Sequence, residues 1–468
     1  MQSDLHLDPK YKAALAVARR LRDAGHQAYF AGGCVRDLLL GTTPKDYDVA
    51  TSATPNEIIA LFAKTFTVGA HFGVVLVCEA PDGGEEIATE IATFRNDGSY
   101  SDGRRPDAVR FSSSAREDVL RRDFTINGML LDPIAFEASG DAAASALDYV
   151  DGRRDLAAGV VRAIGDPVLR FAEDKLRMLR AVRFAARLDF EIDAATAAAI
   201  RAHAASIHQV SAERVRDELT RILTEGGARR GFELLYELGL LAETLPEVVR
   251  LRGVAQPPEF HPEGDVWVHT MLLLEKLPPG CSPTLAWGAL LHDVGKPATF
   301  QPPNPAIPGD RIRFNGHVEA GVRIAEVILS RLRFSNDDTA QIVALIKNHM
   351  RFGDILQMRP ATLKRFLRLP KFTEHLELHR LDASSAHGDL RLYEFARAQF
   401  EAEPAPEQRA APLLTGEDLI AAGYRPSPQF KAMLALAEDA QLEGTAATRE
   451  EALALVREQF PIRAHRAS

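Results

Sequence analysis

Gly32-Gly33-Cys34-Val35-Arg36-Asp37, followed by Lys45-Asp46-Tyr47-Asp48, is the stretch whose reading decides the fold of the first part of the chain. Asp46 and Asp48 stand two apart, and in an extended segment such residues point to one face, so both carboxylates can grip the same cations. Hard oxygen ligands suit Mg²⁺, and metals held this way can stabilise the attacking and leaving oxygens of an in-line phosphoryl displacement. Gly32 and Gly33 lack Cβ atoms and let backbone amides approach a triphosphate. The residues after them, 34–40, read as a short helix whose N-terminus favours anions. A Gly-Gly pair alone also reads as an ordinary tight turn.

The order Gly-Gly, Val-Arg-Asp, Leu-Leu-Leu-Gly, Lys-Asp-Tyr-Asp resembles the signature of polymerase-β-like nucleotidyltransferases that build the CCA end of tRNA. Arg121-Arg122-Asp123-Phe124-Thr125-Ile126-Asn127-Gly128, Asp148-Tyr149-Val150-Asp151-Gly152 and Glu173-Asp174-Lys175-Leu176-Arg177 follow in the order and spacing of the bacterial-type (class II) CCA-adding family. These motifs cover about the first half of the chain. The family also includes bacterial poly(A) polymerases and enzymes that add only CC or only A.

The 468 residues exceed one ordinary core and imply several domains. A hydrophobic content of 46% is that of a globular protein, and no apolar run approaches the ~20 residues of a membrane span. The polar N-terminus lacks a signal-peptide core, and Cys34, Cys78 and Cys281 form neither a metal-spaced cluster nor a disulfide framework. Both features imply the cytoplasm and no membrane partner. A net charge of −9 disfavours a general nucleic-acid coat but leaves room for a local basic groove. Arginines cluster at 104–105, 121–122, 153–154 and through Arg177, Arg180, Arg183 and Arg187, either as a phosphate-handling surface or as solvated faces.

Apolar periodicity predicts a helix over 10–24, strands at 28–30 and 48–50, a helix opened by Thr54-Pro55, and strands at 73–78 and 86–94 joined by a Pro-Asp-Gly-Gly turn. Residues 138–146 read as a small-residue loop. From Asp148 onward strand signals vanish, and 172–188 and 194–207 are helical. Breaks at 253–258, 301–310 and 403–412 read as linkers and long loops. The expected fold class is α+β: a small mixed α/β polymerase-β-like head (1–150), an all-helical neck and body (151–255), a helical HD domain (256–400) and a helical tail (401–468). The tail's 416–430 segment resembles one that follows HD domains in this family.

Asp174, Arg177, Arg180 and Arg183 recur every three residues and would form a slowly winding stripe on the 173–187 helix. Carboxylate contacts to an exocyclic amine and arginine contacts to ring acceptors are each worth ~1–3 kcal/mol of discrimination. The resemblance implies that Asp174 and Arg177 read the Watson-Crick edges of CTP and ATP, with Arg180 and Arg183 near the nucleotide, and that Gly32, Gly33, Arg36 and Arg122 cradle it. It also assigns the Gly/Ser/Asp-rich loop 95–106 to addition of the final A, which disfavours a CC-only enzyme. Poly(A) polymerases of the family carry a basic pair before a Phe where this chain has Gly69-Ala70-His71-Phe72-Gly73, and that departure favours tRNA.

The second half carries His269, His292-Asp293, His317, His349 and Asp382, an order that resembles the HD-superfamily phosphohydrolases. His292-Asp293 closes the apolar run Leu290-Leu291, with Gly295 as a helix stop. Imidazole with carboxylate suits Ni, Mn, Co, Fe or Zn, and a hydrolytic role. His261, His375, His379 and His387 read as structural imidazoles.

The sequence thus predicts a tRNA nucleotidyltransferase that adds CMP and AMP from CTP and ATP, with Mg²⁺ on the catalytic pair Asp46 and Asp48, joined to an HD phosphohydrolase. The alternatives are an A-only enzyme, a poly(A) polymerase, or an HD phosphohydrolase with an RNA-binding head.

Overall fold

A computed structural model of the protein describes residues 7–67, 73–80, 84–97, 109–404 and 411–461. The chain divides into two compact units. The first comprises Met1–Val249 with Leu277–Cys281 and Ser330–Phe334, and the second Arg250–Lys276, Ser282–Leu329 and Ser335–Ser468.

The first unit starts with the helix Pro9–Asp23, whose entry is fixed by Asp8 accepting the Lys10 amide and by proline in the first turn. Its buried side, including Tyr11, Leu15, Ala18 and Leu21, recurs at helical spacing. The strands are β1 (Ala28–Ala31), β2 (Asp48–Thr51), β3 (Thr65–Phe66), β4 (Val74–Glu79), β5 (Ile87–Thr93), β6 (Arg95–Asp97), β7 (Val109–Phe111), β8 (Leu130–Leu131) and β9 (Ala146–Leu147). Seven of them form one sheet in the order β3-β4-β5-β2-β1-β8-β9, with β2 and β5 parallel and every other neighbouring pair antiparallel. β6 and β7 pair as a separate ribbon. The loop assigned to A addition lies mostly outside the described residues, as do 68–72. Tyr11 meets Phe30, Tyr47 and Phe136 edge-to-face, and Phe30 and Tyr47 are tilted against each other, an aromatic cluster that anchors the helix to the sheet.

Three sequence expectations are corrected here. Residues 138–146 are not a loop, because Asp132 and Asp141 cap the helices Pro133–Ser139 and Ala142–Ser145 and the chain then enters β9. Strands do not vanish after Asp148, since Val160–Val161 pairs with Glu191–Ile192. The 172–188 helix is two helices, Pro167–Glu173 and Leu176–Leu188, broken at Asp174, whose backbone is extended and whose carboxylate accepts the Leu176 amide.

Helices Leu176–Leu188, Ala212–Thr224 and Ala228–Glu237 pack together beyond the sheet. Gly227, with φ of +72°, brings the backbone so close to Ala186 that a Cβ would lie 2.2 Å from its carbonyl oxygen.

The second unit is helical. Val266–Glu275, Pro283–Leu291, His317–Arg331, Asn336–Asn348 and Phe372–Ser385 bury their apolar faces on one another, with Trp287 fully enclosed. The helix Pro283–Leu291 ends before Gly295, whose φ is −81° and whose missing Cβ admits the His317 carbonyl and the Gly321 amide. Gly416–Ala421, Gln429–Glu443 and Arg449–Gln459 close the chain around a small core that includes Leu419, Met433 and Val456.

Replacing Gly227 by alanine combines backbone strain with a clash that flexible side chains cannot relieve. Gly227→Ala is expected to cost about 1–3 kcal/mol of the first unit's stability, read as a lower denaturation midpoint; an unchanged midpoint would contradict this close approach.

Candidate functional site

The first unit holds a cleft of about 640 Å³. One wall is the end of β1 with Gly32 and Gly33, the helix Gly33–Leu39, and the strands β2 and β5; the other is the helix Leu176–Leu188 with Arg214 and Arg221 from Ala212–Thr224. Of the predicted nucleotide site, Gly32, Gly33, Arg36, Asp46, Asp48, Arg122, Asp174, Arg177 and Arg180 line it. Arg183 does not.

Tyr47 turns into the aromatic cluster, which leaves Asp46 and Asp48 on the cleft side. Asp46 precedes β2 and stays exposed, with its Oδ1 2.8 Å from the Lys10 ammonium. Burial, assisted by the nearby Glu90, pushes Asp48 up to about 6 even with Arg122 close by. Glu90 also lines the cleft and is raised by burial. Sequence reading passed over it. β2 pairs with β5 from Val49↔Ile91 onward, one residue beyond Asp48 and Glu90. A lone acid in the alternation Ile87-Ala88-Thr89-Glu90-Ile91 was the available signal. Converging carboxylates whose charge is costly fit a divalent cation.

Ten basic and six acidic side chains line the cleft, so it is positive in a chain of net charge −9. Arg36 donates to Asp37 and Asn127. Arg122 and Arg121 share the buried Asp118. Arg180 grips Asp123 through Nε (2.8 Å) and Nη2 (2.6 Å). Asp174 is held by Arg214 at 2.9 Å. Arg177 spends Nη1 on Glu173 and the Arg170 carbonyl, and Nη2 on the Arg121 carbonyl. Its Nε–H has no partner among the described residues.

The stripe of four is corrected by helical geometry. Asp174 lies before the helix, and steps of three residues rotate backwards by about 60° each, so Arg183 leaves the cleft. It is buried, bonded to Glu218 at 2.8 Å and Glu225 at 3.1 Å, with its guanidinium 4.4 Å from the Phe184 ring centre. Arg187, seven residues after Arg180, returns to the cleft. Arg153 and Arg154 are not part of the lining.

All six predicted residues of the second constellation come together in the second unit. The ligand atoms of His269, His292 and Asp382 lie within 4.8 Å of one another, as do those of Asp293, His317 and His349. His292, His317 and His349 each direct Nδ1 at the carbonyl of the residue three before, namely Ala289, Phe314 and Ile346. Their Nε2 atoms are buried without a hydrogen-bond partner among the described residues. His269 Nε2 stands 3.0 Å from Asp382 Oδ1. Burial alone would lower His269, but Asp382 and Glu263 overcome it and push it up to about 9. Burial holds His349 down to about 4, and Asp293 is kept well below the usual carboxylate range by Lys296 and His292 in spite of its burial. Imidazoles fixed by Nδ1 with orphaned Nε2 atoms, facing two ionised carboxylates, are a donor set that fits transition-metal ions. Glu263, Lys296 and Gln256 also adjoin this cluster, Gln256 from the 253–258 stretch that reads as a linker.

Comparison with known proteins follows the same division. Residues 28–162 match a family profile described as the poly A polymerase head domain, 189–251 one described as a probable RNA and SrmB- binding site of polymerase A, and 265–385 the HD domain. The chain is 38% identical to a CCA-adding enzyme of Lactobacillus johnsonii over 277 residues, covering 58% of this chain and 66% of the relative. It is 41% identical to the CCA-adding enzyme of Geobacillus thermodenitrificans over 234 residues, 50% of this chain and 54% of that one. The match thus spans half to two thirds of the length of these curated relatives. Among solved structures, a Bacillus stearothermophilus CCA-adding enzyme in complex with CTP aligns over 97% of this chain and 98% of its own, with TM-score 0.70 and 26% identity. A Thermotoga maritima CCA-adding enzyme complexed with tRNA shares the fold over 98% of each chain, with TM-score 0.53 and 19% identity.

Arg183, displaced from the cleft, becomes a packing residue. Arg183→Met leaves the Glu218 carboxylate buried with, among the described residues, only Arg221 at 3.6 Å, and is expected to cost about 3 kcal/mol in denaturant unfolding. An unchanged midpoint would return Arg183 to the nucleotide.

Proposed function

Because the chain belongs to the bacterial-type CCA-adding tRNA nucleotidyltransferase and poly(A) polymerase family with a fused HD domain, we propose that it adds CMP and then AMP, from CTP and ATP, to the 3′ end of tRNA in the cytoplasm. The observation that carries this reading is the cleft itself, in which Asp46, Asp48 and Glu90 face a wall of guanidinium groups from the neck. The proposed division is 1–150 head, 151–255 neck and body, 256–400 HD domain and 401–468 tail. Among the described residues no helix is long and apolar enough to cross a membrane.

In this proposal Gly32, Gly33, Arg36 and Arg122 bind the triphosphate, with Arg36 held in place by Asp37 and Asn127. Asp46 and Asp48 would hold Mg²⁺, which supplies charge neutralisation on the triphosphate and activation of the attacking hydroxyl. The tRNA 3′ oxygen bonds to the α-phosphorus while the bond to the departing pyrophosphate breaks. Arg177 offers its Nε edge, and Asp174 its Arg214-anchored carboxylate, to the base, so the choice of nucleotide is read by side chains. Arg180, locked to Asp123, fixes the helix that carries Arg177.

In the second unit, His269, His292 and Asp382 would hold one transition-metal ion and Asp293, His317 and His349 another, from among Ni, Mn, Co, Fe or Zn. Such ions supply water activation and Lewis acidity for hydrolysis of a phosphate ester. Lys296, 2.7 Å from Asp293 Oδ2, keeps that carboxylate ionised.

The deciding experiment offers purified protein tRNA lacking CCA, tRNA ending in CC, and an unrelated RNA, each with single labelled nucleotides. Two CMP and one AMP are expected on the first substrate, AMP alone on the second and nothing on the third. Addition only to the CC-ended tRNA would mark an A-only enzyme, tails on the unrelated RNA a poly(A) polymerase, and no addition an HD phosphohydrolase with an RNA-binding head. Asp48→Ala should depress addition about a thousandfold, the several kcal/mol such cations supply, while Asp293→Ala leaves addition intact and removes phosphodiester hydrolysis. Addition by Asp48→Ala within about tenfold of wild type, roughly 1.4 kcal/mol, would sink the assignment.

A further inference from the structure

The four imidazoles of the second unit are not oriented alike. His292, His317 and His349 rest their Nδ1 atoms on backbone carbonyls. His269 sits in the first turn of Val266–Glu275, and its Nδ1 lies 2.7 Å from the side chain of Glu263. The same oxygen, Oε1, is 2.9 Å from Nδ1 of His261, whose ring stands edge-on to His269 with centres 5.0 Å apart. The Glu263 side chain is 7% exposed, and its other oxygen has no hydrogen-bond partner among the described residues. A buried carboxylate is costly unless paired, and the two imidazoles are the partners that hold this one.

We propose that Glu263 is a positioning residue that fixes His269 with Nε2 toward Asp382, and so sets the cation affinity of the His269, His292 and Asp382 position separately from that of Asp293, His317 and His349. This rests on the reading of the cluster as a metal centre. A carboxylate on the far nitrogen fixes the tautomer and ring orientation and raises the basicity of the ligating nitrogen, which a neutral backbone carbonyl does less strongly. The segment that delivers Glu263 is tied down at both ends: the Gly253 amide donates to Asp265, Asp265 caps the His269 helix, and the Val266 amide donates to the Val254 carbonyl. The same segment sends Gln256 to Lys296 at 2.7 Å, and Lys296 contacts Asp293 in the other ligand group. The 253–258 stretch, which reads in the sequence as a linker, thus supplies Gln256 to the outer layer of the centre.

The test uses the full chain, stripped of metal and titrated with Mn²⁺ alone, with bound metal counted by elemental analysis and affinity measured by calorimetry. Wild type should bind two ions. Glu263→Gln, which keeps shape and loses charge, should weaken one of them about 10- to 100-fold and leave the other, the denaturation midpoint and nucleotide addition unchanged. His261→Phe, which removes only the second imidazole from Oε1, should retain both ions at wild-type affinity. Two unweakened ions in Glu263→Gln would overturn the positioning role. An equal loss in His261→Phe, or loss of both ions together with a lower midpoint, would place the effect in packing of the segment and overturn it as well. A folded wild type that takes up no Mn²⁺ would defeat the metal reading itself, and the proposal with it.

Discussion

The pairing of Arg180 with Asp123 is the interaction on which the first unit depends. Asp123 belongs to the segment entering the Thr125–Asn127 turn beside the sheet, and Arg180 to the helix Leu176–Leu188, so two bonds from one guanidinium tie the wall carrying carboxylates to the wall carrying arginines. Burial opposes the charge on Asp123, but Arg180 and Arg177 keep it below the ordinary carboxylate range. Both partners therefore stay ionised. Around this pair other arginines are placed by acceptors and a ring: Arg36 and Arg183, like Arg180 itself, lie within 5.5 Å of the centre of the Phe184 ring, a cation–π arrangement. The arginines that line the cleft are thus held by partners of the protein itself, the preorganisation that the proposed selection by side chains needs.

The second unit solves the opposite problem, a concentration of imidazoles around acid. Asp293 is buried, and its oxygens lie 2.7 Å from Lys296, 3.2 Å from His292, and 3.9 Å from each of His317 and His349. Three backbone carbonyls and one glutamate fix the outer nitrogens, and the inner ones are left facing the carboxylates. The absence of a Cβ at Gly295 lets the start of the His317 helix come near enough to bring its imidazole to Asp293. Packing and chemistry are thus set by the same close approach.

Much of this was legible in the sequence because it is local. The Asp-Tyr-Asp alternation and the Thr54 helix start survive translation into three dimensions with little change, and the six HD residues, found by their order although they span 269–382, come together. What was not legible depends on partners distant in sequence. Arg183 differs from Arg180 only by its rotation about the helix, and it finds Glu218 and Glu225 on another helix. Glu90 becomes part of the site through the parallel pairing of β2 and β5. Asp174 breaks a helix that periodicity would continue, because its side chain competes for the Leu176 amide. Glu263 follows the 253–258 stretch that reads as a linker, and no periodicity there marks its side chain as one that turns toward His269.

The central claim is that base choice is made by protein side chains held in the cleft, with Arg177 at the base edge. Its most direct test is the incorporation of all four nucleotides by Arg177→Ala on tRNA lacking CCA and on tRNA ending in CC, each measured as kcat/KM. The account predicts that discrimination of CTP and ATP against UTP and GTP shrinks by roughly 1–3 kcal/mol while triphosphate binding is largely kept. A fall of all four rates by one common factor would contradict it, and would make Arg177 a phosphate-binding or structural residue.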